Sequence, residues 1–552
     1  MDWDLTTDLL VVGSGGGAMT AGLTARQEGI DSLLIEKSAF YGGSTALSAG
    51  GIWIPNNHLM EAAGLSDSFE KASTYLEHTV GERSARANQA AFLRNAPEMI
   101  RSLARIPEVE FEIMAGYPDY YPERPGGMTG GRGLCAPLFH GRKLGADIQQ
   151  LRPPNRELPA GFAITVYEAK RIMLCRSHPE YVPGILRVVA RNLWNLAARR
   201  RDVANGAALI ARLRFAMKAL GVPLHLGLPA TKLVVEKERV VGVEAFGAAG
   251  AVAIRASRGV VLAAGGFAHS QAMRERYQQG PVDVHWSSAA QDNTGDAIRM
   301  GAEIGARLDL MDDAWWGPSV IPPGESPIFA LFERAHPGAI MVGSDGRRFV
   351  NEAASYVDVG HAMYEHGRDG VRTVPALLVM DQRYRSRYFV GGMPPGVTPK
   401  EKLSSGHVKR ADSLRALAEQ IAVDADGLEA TVQRFNDFAR RGRDEDFGRG
   451  DSAYDRFYAD PGVGPNPCLA PVDQPPFYAV ELYPGDIGTK GGLVTDASAQ
   501  VLREDGSVIE GLYAVGNNSA SVMGNTYPGP GSTIAPSMTF GYIAARHAAR
   551  GG

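Results

Sequence analysis

Small residues near the start of the chain have the spacing of a dinucleotide site. Gly13, Gly15 and Ala18 follow the pattern G-x-G-x-x-G/A. Glu36 lies at about the distance where an acid binds a ribose 2′-hydroxyl. Glycines permit a tight turn and close approach of a phosphate, which free N–H groups at a helix N-terminus can bind. The residues expected to form this pyrophosphate-binding turn are Gly13, Ser14, Gly15, Gly17 and Ala18.

The segment that follows favours a flavin over a nicotinamide. Residues 36–51 read EKSAFYGGSTALSAGG. A nicotinamide enzyme has no general need for a Gly-Gly-Ser-Thr loop after the ribose acid, whereas a flavin site needs small side chains and hydroxyl donors around the ribityl chain and pyrophosphate. We therefore predict FAD, bound without a covalent link. The expected contacts in this segment are Lys37, Ser38, Gly43, Ser44, Thr45, Ser48, Gly50 and Gly51.

These motifs together resemble a flavoprotein superfamily that includes fumarate reductase, 3-ketosteroid Δ1-dehydrogenase and 3-ketosteroid Δ4-(5α)-dehydrogenase. Residues 293–298, NTGDAI, are similar to the family segment in which Asp296 would approach the adenosine end. Gly516 and Asn517 resemble a C-terminal flavin contact of the family. The resemblance also implies cofactor contacts from Ala264, Gly265, Asn293, Ser532 and Ile534.

Residues 519–534, SASVMGNTYPGPGSTI, closely resemble the signature of the Δ1-dehydrogenases. In that family a tyrosine hydroxyl and a glycine N–H hold the 3-keto oxygen of the substrate, which implies these roles for Tyr527 and Gly531. Tyr356, in NEAASYV, matches a further family position as the base. Tyr120, in YPDYY, matches a fourth position and would donate to Tyr356 or relay its proton, although its neighbour Tyr121 remains an alternative.

The chemistry of desaturation agrees with such a set of residues. Removing a proton beside a ketone requires stabilisation of the negative charge that develops on the keto oxygen, and losing one donor typically costs about 3 kcal/mol. Pro528 and Pro530 would stiffen the loop that carries both donors. Since a free tyrosine has a pKa of about 10, we expect a lowered pKa for the base and alkaline activity.

The elements that position these residues indicate an α/β fold. Residues 8–12 and 31–36 read as buried strands on either side of a small-residue helix, and short strands recur at 259–266 and 511–517. Nucleotide-site features therefore lie at both ends of the chain. We predict a discontinuous Rossmann-type FAD domain (1–316 and 488–552), with an insertion at 153–202, and an inserted α+β catalytic domain (317–487).

Composition excludes other classes of protein. The chain has 552 residues, of which 44% are hydrophobic and 21% charged, so it can bury a large core. A net charge of -4 argues against nucleic acid as a partner. Three widely spaced cysteines predict neither disulfides nor a metal site. Neither a signal peptide nor a spanning segment is recognisable, and we expect a cytoplasmic protein.

A basic amphipathic helix is predicted between residues 181 and 201. Leu186, Leu193 and Trp194 recur at near-helical spacing, accompanied by several arginines. Such a helix can lie on an anionic membrane, which would make the protein peripheral at the inner face of the cell membrane. The alternative is a surface helix that packs on its own protein or on a second subunit.

The resemblance thus implies an FAD-dependent enzyme that introduces the 1,2-double bond into ring A of a 3-ketosteroid and passes electrons to a quinone or another acceptor. The fumarate reductase branch is excluded because tyrosines, not arginine and histidine, occupy the active-site loops. Two alternatives stay open. One is Δ4-(5α) desaturation of the same steroids, and the other is a membrane-associated flavoprotein that delivers electrons to a partner.

Overall fold

The computed structural model describes residues 2–155 and 162–551. Its largest sheet contains β1 (Leu5–Val12), which ends in buried aliphatic residues. Residues 156–161 of the predicted 153–202 insertion therefore lie outside the described residues. The other strands are β2 (Ser32–Glu36), β3 (Ile52–Trp53), β4 (Glu112–Ile113), β5 (Gly133–Cys135), β6 (Phe139–His140), β7 (Asp202–Val203), β8 (Leu224–Leu226), β9 (Ala230–Glu236), β10 (Arg239–Gly247), β11 (Gly250–Leu262), β12 (Leu308–Asp309), β13 (Ala314–Val320), β14 (Ile328–Phe329), β15 (Ala339–Val342), β16 (Ala376–Met380), β17 (Val408–Ala411), β18 (Phe477–Thr489), β19 (Gly492–Leu493), β20 (Gln500–Leu502) and β21 (Val508–Ala514).

Helices flank the strands along the whole chain. They are α1 (Gly16–Gln27), α2 (Gly43–Leu47), α3 (His58–Ala62), α4 (Phe69–Thr79), α5 (Arg86–Leu103), α6 (Val166–Met173), α7 (Val182–Ala197), α8 (Asn205–Leu220), α9 (Gln271–Tyr277), α10 (Asp296–Glu303), α11 (Tyr356–His366), α12 (Gln382–Arg387), α13 (Lys400–Ser404), α14 (Leu414–Ile421), α15 (Ala425–Arg441), α16 (Ala453–Phe457) and α17 (Ile534–Ala549).

The largest sheet joins strands from both ends of the chain. Its order is β20-β21-β11-β1-β2-β8, and β10 and β9 extend it from β11. The β1 strand pairs in parallel with β2 and β11, and β11 pairs in parallel with β21. This arrangement brings the turn after β1 and the loop after β21 to the same edge of the sheet. The predicted α/β class with a Rossmann-type parallel sheet is confirmed.

The last helix, α17, lies against α1. Gly17 faces Ser537, and a Cβ atom at Gly17 would overlap the Ser537 backbone and hydroxyl. Small residues on both helices therefore let the two backbones approach closely. This packing holds α17 and the loop before it beside the turn that follows β1.

A second sheet is built from the middle of the chain. Its order is β14-β13-β18-β16-β15, and β17 also pairs with β18. The predicted boundaries at 316/317 and 487/488 fall inside β13 and β18, and the division into domains remains a prediction. Helices α14 and α15 follow one another as two separate helices, because Ala422 adopts a left-handed conformation between them.

The amphipathic helix predicted at 181–201 is present as α7, which ends at Ala197. Its inward face carries Val188, Asn192 and Asn195, whereas larger apolar side chains point outward. Asn192 accepts a hydrogen bond from the Ala163 N–H at 2.8 Å. Among the helices that the structure describes, none combines the length and the apolar character needed to cross a bilayer.

Candidate active site

A cavity of about 640 Å³ connects the glycine-rich turn with the predicted catalytic tyrosines. Its wall includes Tyr120, Tyr356, Tyr527 and Gly531. Most of the predicted cofactor contacts also line it. They are Gly13, Ser14, Gly15, Glu36, Lys37, Gly43, Ser44, Thr45, Ser48, Gly50, Gly51, Ala264, Gly265, Asn293, Asp296, Gly516, Asn517 and Ile534.

Four residues predicted to contact the cofactor lie behind this wall. Gly17 and Ala18 are buried within α1 and serve its packing. The Ser38 N–H donates to the Glu36 carboxylate at 2.9 Å, and the Ser532 hydroxyl donates to the Gly529 carbonyl at 2.8 Å. None of these four residues lines the cavity. They support neighbouring residues that do.

The nucleotide end of the cavity fits FAD. Gly13 has a φ of 117°, and a Cβ atom there would overlap the Ala263 carbonyl. The N-cap residue of α1 accepts no side-chain hydrogen bond, and the Gly16 N–H donates to the Thr45 hydroxyl at 3.2 Å, so the other N–H groups of the first turn can bind a phosphate. Both oxygens of the Glu36 carboxylate are oriented by hydrogen bonds, one of them from the Ser14 hydroxyl at 2.6 Å. Burial raises the pKa of this carboxyl group.

Glu36 offers a test of the nucleotide site. We expect Glu36→Leu to lower FAD affinity about 10- to 100-fold, because a hydrogen bond to a charged group contributes about 1.5–3 kcal/mol. The measurement is the dissociation constant of FAD from the apoprotein, followed by flavin fluorescence. Glu70→Leu, at an exposed residue of α4 outside the cavity wall, is the control. An unchanged dissociation constant in Glu36→Leu would remove Glu36 from the site.

Predicted contacts of the adenosine and ribityl regions also lie together. Lys37 Nζ pairs with the Asp296 carboxylate at 2.6 Å. The Ser44 hydroxyl accepts hydrogen bonds from Asn293 Nδ2 at 2.8 Å and from the Ala290 N–H at 2.9 Å. The segment after β2 is thereby fixed against the 290–296 segment, and together they form two sides of the cavity.

Three predicted catalytic tyrosines meet at the opposite end of the cavity. The Tyr120 and Tyr527 rings are stacked with their centroids 4.9 Å apart, and the Tyr356 ring lies edge-on to Tyr527 at 4.9 Å. The Tyr120 hydroxyl donates to the Tyr356 hydroxyl at 3.4 Å. Tyr121 instead donates to Asp358 at 2.9 Å and does not line the cavity. The geometry therefore favours Tyr120 over Tyr121.

The two predicted donors to a keto oxygen lie side by side. The Gly531 N–H and the Thr533 hydroxyl both face the Tyr527 oxygen. Gly531 has a φ of 91°, and a Cβ atom there would overlap the Gly51 carbonyl, so no other residue fits without displacing the cofactor loop. Tyr527 and Gly531 thus place a phenolic donor and a backbone donor next to each other in the cavity wall.

The loop that carries Tyr527 is fixed by contacts on both sides. The Pro528 carbonyl accepts hydrogen bonds from the Tyr75 hydroxyl at 2.6 Å and from the Tyr120 N–H at 2.9 Å. Buried Lys490 reaches the Thr526 carbonyl at 3.3 Å. Such anchoring lets the donors keep their direction without cost when a substrate binds.

The expected lowering of the base's pKa is wrong for this arrangement. Burial raises the pKa of Tyr356 well above its ordinary value, and Tyr527 and Tyr454 raise it further. The pKa of Tyr120 is raised in the same way. The physical reason is that the neighbours of both hydroxyls are other phenols, which do not supply the positive charge that would favour a phenolate. Forming the Tyr356 phenolate therefore requires a stabilising interaction that the sequence did not identify.

Several residues that line the cavity were not predicted. Val166, Ala169 and Met173 of α6 form one side of it, and Phe329 and Phe332 also line it. Their only sequence signal is an amphipathic pattern, which is equally typical of a surface helix. Tyr458 was also missed, although it lies beside Tyr454 in AYDRFY. Its hydroxyl makes a short hydrogen bond with Tyr117, whose hydroxyl lies 3.3 Å from that of Tyr120.

Comparison with known proteins places this geometry in context. Residues 8–534 match the model of a family described as FAD binding domain. The chain is 47% identical over 98% of its length to a 3-oxosteroid 1-dehydrogenase of Mycobacterium tuberculosis, of which it covers 98%. It is 35% identical over 98% of its length to a 4-oxocyclohexanecarboxylate 2-dehydrogenase of Sinomonas cyclohexanicum, of which it covers 92%.

A solved structure agrees with these matches. The crystal structure of 3-ketosteroid Δ1-dehydrogenase from Sterolibacterium denitrificans, in complex with 1,4-androstadiene-3,17-dione, superposes with a TM-score of 0.94 at 42% identity. The match covers 99% of this chain and all of that one. The likeness extends across the predicted 153–202 insertion, because the unmatched part of either chain is too short to contain that whole segment.

Proposed function

We infer that this chain, which belongs to the 3-oxosteroid 1-dehydrogenase family of FAD-dependent oxidoreductases, introduces the 1,2-double bond into ring A of a 3-ketosteroid. The observation that supports this proposal is that the Tyr527 hydroxyl and the Gly531 N–H are neighbours in the wall of the cavity, with the Tyr356 ring edge-on to Tyr527. A ring ketone bound there would have its α-carbon next to a phenol and its oxygen next to two donors.

The two donors lower the barrier to proton removal. As the proton leaves C2, negative charge develops on the 3-keto oxygen, and hydrogen bonds that strengthen with this charge stabilise the transition state. Tyr527 and Gly531 are buried, so bulk water does not weaken these bonds. FAD, when bound, accepts the hydride that leaves C1.

Tyr356 is the proposed proton acceptor. It is the first residue of α11, which packs against β13 of the second sheet. The Tyr120 hydroxyl donates to the Tyr356 oxygen, so it favours the ionised form of Tyr356. Because the pKa of Tyr356 is nevertheless raised, the rate should increase as the pH rises through neutrality and beyond.

An apolar wall supports a polycyclic substrate. The cavity is lined by Phe329, Phe332, Met114 and Met173. The Phe329 ring lies edge-on to Tyr356, and the Phe332 ring lies edge-on to Tyr458. Side chains of this kind bury flat hydrocarbon rings but offer no charge to a carboxylate. The wall therefore favours a steroid over a small oxo acid.

One experiment tests the proposal directly. Anaerobic addition of androst-4-ene-3,17-dione to the yellow protein should bleach the flavin spectrum, and the product should carry a new double bond at C1–C2. Incubation with a saturated 5α-3-ketosteroid distinguishes the alternative, because Δ4-(5α) desaturation would place the new bond at C4–C5. Product unsaturated only at C4–C5 would contradict the proposal.

We also propose that α7 binds an anionic membrane surface, where the reduced enzyme would pass electrons to a quinone or another acceptor. Leu186, Leu193 and Trp194 are exposed by 62%, 55% and 64%. Polar Asn192 faces the protein instead, so the orientation is the reverse of that of an ordinary surface helix. Exposed arginines surround this face, namely Arg187, Arg199 and Arg201, whereas Arg191 is paired with Glu168.

Vesicle binding tests this surface. We expect the triple change Leu186→Ser, Leu193→Ser and Trp194→Ser to reduce co-sedimentation with phosphatidylglycerol-containing vesicles at least about 10-fold, because each large side chain contributes about 1.5–3 kcal/mol when buried. Phe246→Ser, at an exposed apolar residue elsewhere, should have no effect. Unchanged sedimentation of the triple variant would contradict the proposal. A wild-type dimer that becomes monomeric in the triple variant would also contradict it, because α7 would then pack on a second subunit.

A further inference from the structure

Trp53, the last residue of β3, lies behind the wall of the catalytic cavity. Its side chain is 0% exposed, and it does not line the cavity. The indole ring packs on Gly529, where a Cβ atom would overlap the ring. Gly529 lies between the two predicted donors to the keto oxygen, Tyr527 and Gly531. We call residues 527–531 the donor loop, and its backbone therefore rests on the Trp53 ring.

Asp119 connects the Trp53 ring to a second catalytic loop. The Trp53 Nε1–H donates to Asp119 Oδ1 at 2.7 Å, and both side chains are buried. The other carboxylate oxygen accepts a hydrogen bond from the Met128 N–H at 3.0 Å. Asp119 directly precedes Tyr120 in the chain. A hydrogen bond to a charged group, which is stronger than one between neutral groups, thus joins the Tyr120 loop to the ring that supports the donor loop.

Arg132 fixes the direction of the Asp119 carboxylate. Its Nη1 donates to Asp119 Oδ2, and its Nε and Nη2 donate to the two oxygens of Asp67, all at 2.8 Å. The three side chains are buried, so the guanidinium lies between two carboxylates. Burial raises the pKa of Asp119 to about 6, and Arg132 and the Trp53 N–H oppose this rise. Asp119 is therefore ionised at pH values well above 6.

The same ring is continuous with the predicted flavin-binding segment. Trp53 follows Gly51, which lines the cavity. The Gly51 carbonyl lies against Gly531, where a Cβ atom would overlap it. The Tyr120 N–H donates to the Pro528 carbonyl at 2.9 Å, which joins the two catalytic loops directly. Three segments of the chain therefore meet around one buried indole.

Two other contacts hold the donor loop without using the bond between Trp53 and Asp119. The Tyr75 hydroxyl donates to a carbonyl of the loop at 2.6 Å. Lys490 reaches the Thr526 carbonyl at 3.3 Å, and its charge is paired with Asp313 at 3.2 Å. A variant that lacks the Trp53–Asp119 bond should therefore keep its fold and lose only the alignment of the loops.

We propose that Trp53 and Asp119 are positioning residues that hold the Tyr120 loop, 117–121, and the donor loop in register with the flavin-binding segment, 50–51. The inference rests on the proposed function. A hydride can leave C1 for FAD only if C1 faces the flavin while the 3-keto oxygen faces its donors, so the separation of the three segments must be fixed. A misplacement of about 1 Å can cost about 100-fold in rate.

Asp119→Asn tests this proposal while the Trp53 ring stays on Gly529. In either orientation the new amide directs its NH2 group at an N–H donor, so the link is weakened. We expect kcat to fall about 10- to 100-fold and KM to change less than about threefold, because misaligned donors lose mainly transition-state stabilisation. Rates of the FAD-loaded protein are compared at about pH 8, where wild-type Asp119 is ionised.

Trp53→Phe breaks the same link from the other side. It removes the indole N–H and leaves the Asp119 carboxylate in place, and kcat should again fall about 10-fold or more with little change in KM. The double variant, Trp53→Phe with Asp119→Asn, should lose no more than about the larger single loss, because both changes interrupt one link. Losses that multiply in the double variant, or a loss confined to KM, would overturn the proposal.

Tyr388→Phe is the matched control. Its buried hydroxyl donates to Asp460 at 2.6 Å, and Asp460 is also bonded to His178, so an aromatic donor to a buried aspartate is again removed. Tyr388 does not line the cavity. Its kcat should stay within a factor of about two, since this bond contributes to stability and not to the alignment of the catalytic loops.

Hydrogen exchange measured by mass spectrometry gives a readout that needs no turnover. In the FAD-loaded Asp119→Asn and Trp53→Phe variants, the amides of Tyr120 and Gly531 should exchange at least about 10-fold faster than in the wild type, while amides of β16 keep their rate. This comparison holds even if no steroid bleaches the flavin, a result that would overturn the proposed function alone. Unchanged exchange at both amides, or faster exchange throughout the protein, would overturn the positioning role.

Discussion

Replacing Tyr527 by phenylalanine should reduce flavin reduction by a 3-ketosteroid about 100-fold or more. The change removes one of the two donors directed at the keto oxygen, and losing such a donor costs about 3 kcal/mol of transition-state stabilisation. The ring would remain stacked on Tyr120 and edge-on to Trp315, so the loop should keep its position. Anaerobic stopped-flow measurement of flavin bleaching checks this value.

Tyr364→Phe is a matched control for Tyr527→Phe. Its hydroxyl is largely buried and donates to the Pro281 carbonyl at 3.0 Å, far from the cavity wall. The rate of flavin reduction in this variant should stay within a factor of about two, since a single neutral hydrogen bond contributes about 1 kcal/mol to stability and none to the reaction. Normal steroid oxidation by Tyr527→Phe would show that the keto oxygen binds elsewhere.

Replacing Tyr356 by phenylalanine should have an effect of similar or larger size. Loss of a general base typically lowers the rate by about 10²- to 10⁴-fold. Binding of the product should persist, because the donors to the keto oxygen remain. The rate should also lose its rise with pH, since the group whose raised pKa controls that rise is absent. Single-turnover rates across the pH range, together with a product titration, measure both effects.

Tyr121→Phe serves as the control for Tyr356→Phe. Tyr121 is equally buried and donates to Asp358 within the same helix as Tyr356. Its loss disturbs α11 to a similar extent but leaves the cavity wall unchanged, so the pH profile should be retained. A Tyr356→Phe variant that keeps both its rate and its pH dependence would assign proton removal to another group.

The sequence was most informative where a residue type is required by backbone geometry. Gly13 and Gly531 adopt positive φ angles in contact with other backbone, so their identity follows directly from the fold. Strands β1, β2, β11 and β21 were also predicted, from short apolar runs near glycine, whereas their order in the sheet was not. Such signals are local, and they specify a turn or a strand without knowledge of its distant neighbours.

Electrostatic partners could not be predicted in the same way. Tyr120, Tyr356 and Tyr454 come from three separate segments, and nothing in their spacing indicates that their rings meet. The pKa of Tyr356 depends on burial and on which groups face it, which are properties of the folded protein. The cavity face of α6 could not be predicted either, because an amphipathic pattern does not specify which surface the apolar side of a helix contacts.

The packing of α17 on α1 has a consequence for how the protein is made. The first cofactor-binding turn is complete by Glu36, yet the helix that supports it ends at Ala549 and the strand that extends its sheet ends at Ala514. Until β21 and α17 have been synthesised, the N-terminal segment lacks both supports. We therefore expect the flavin to bind only after these two elements are in place, and a chain that stops before β21 to yield no half-active product.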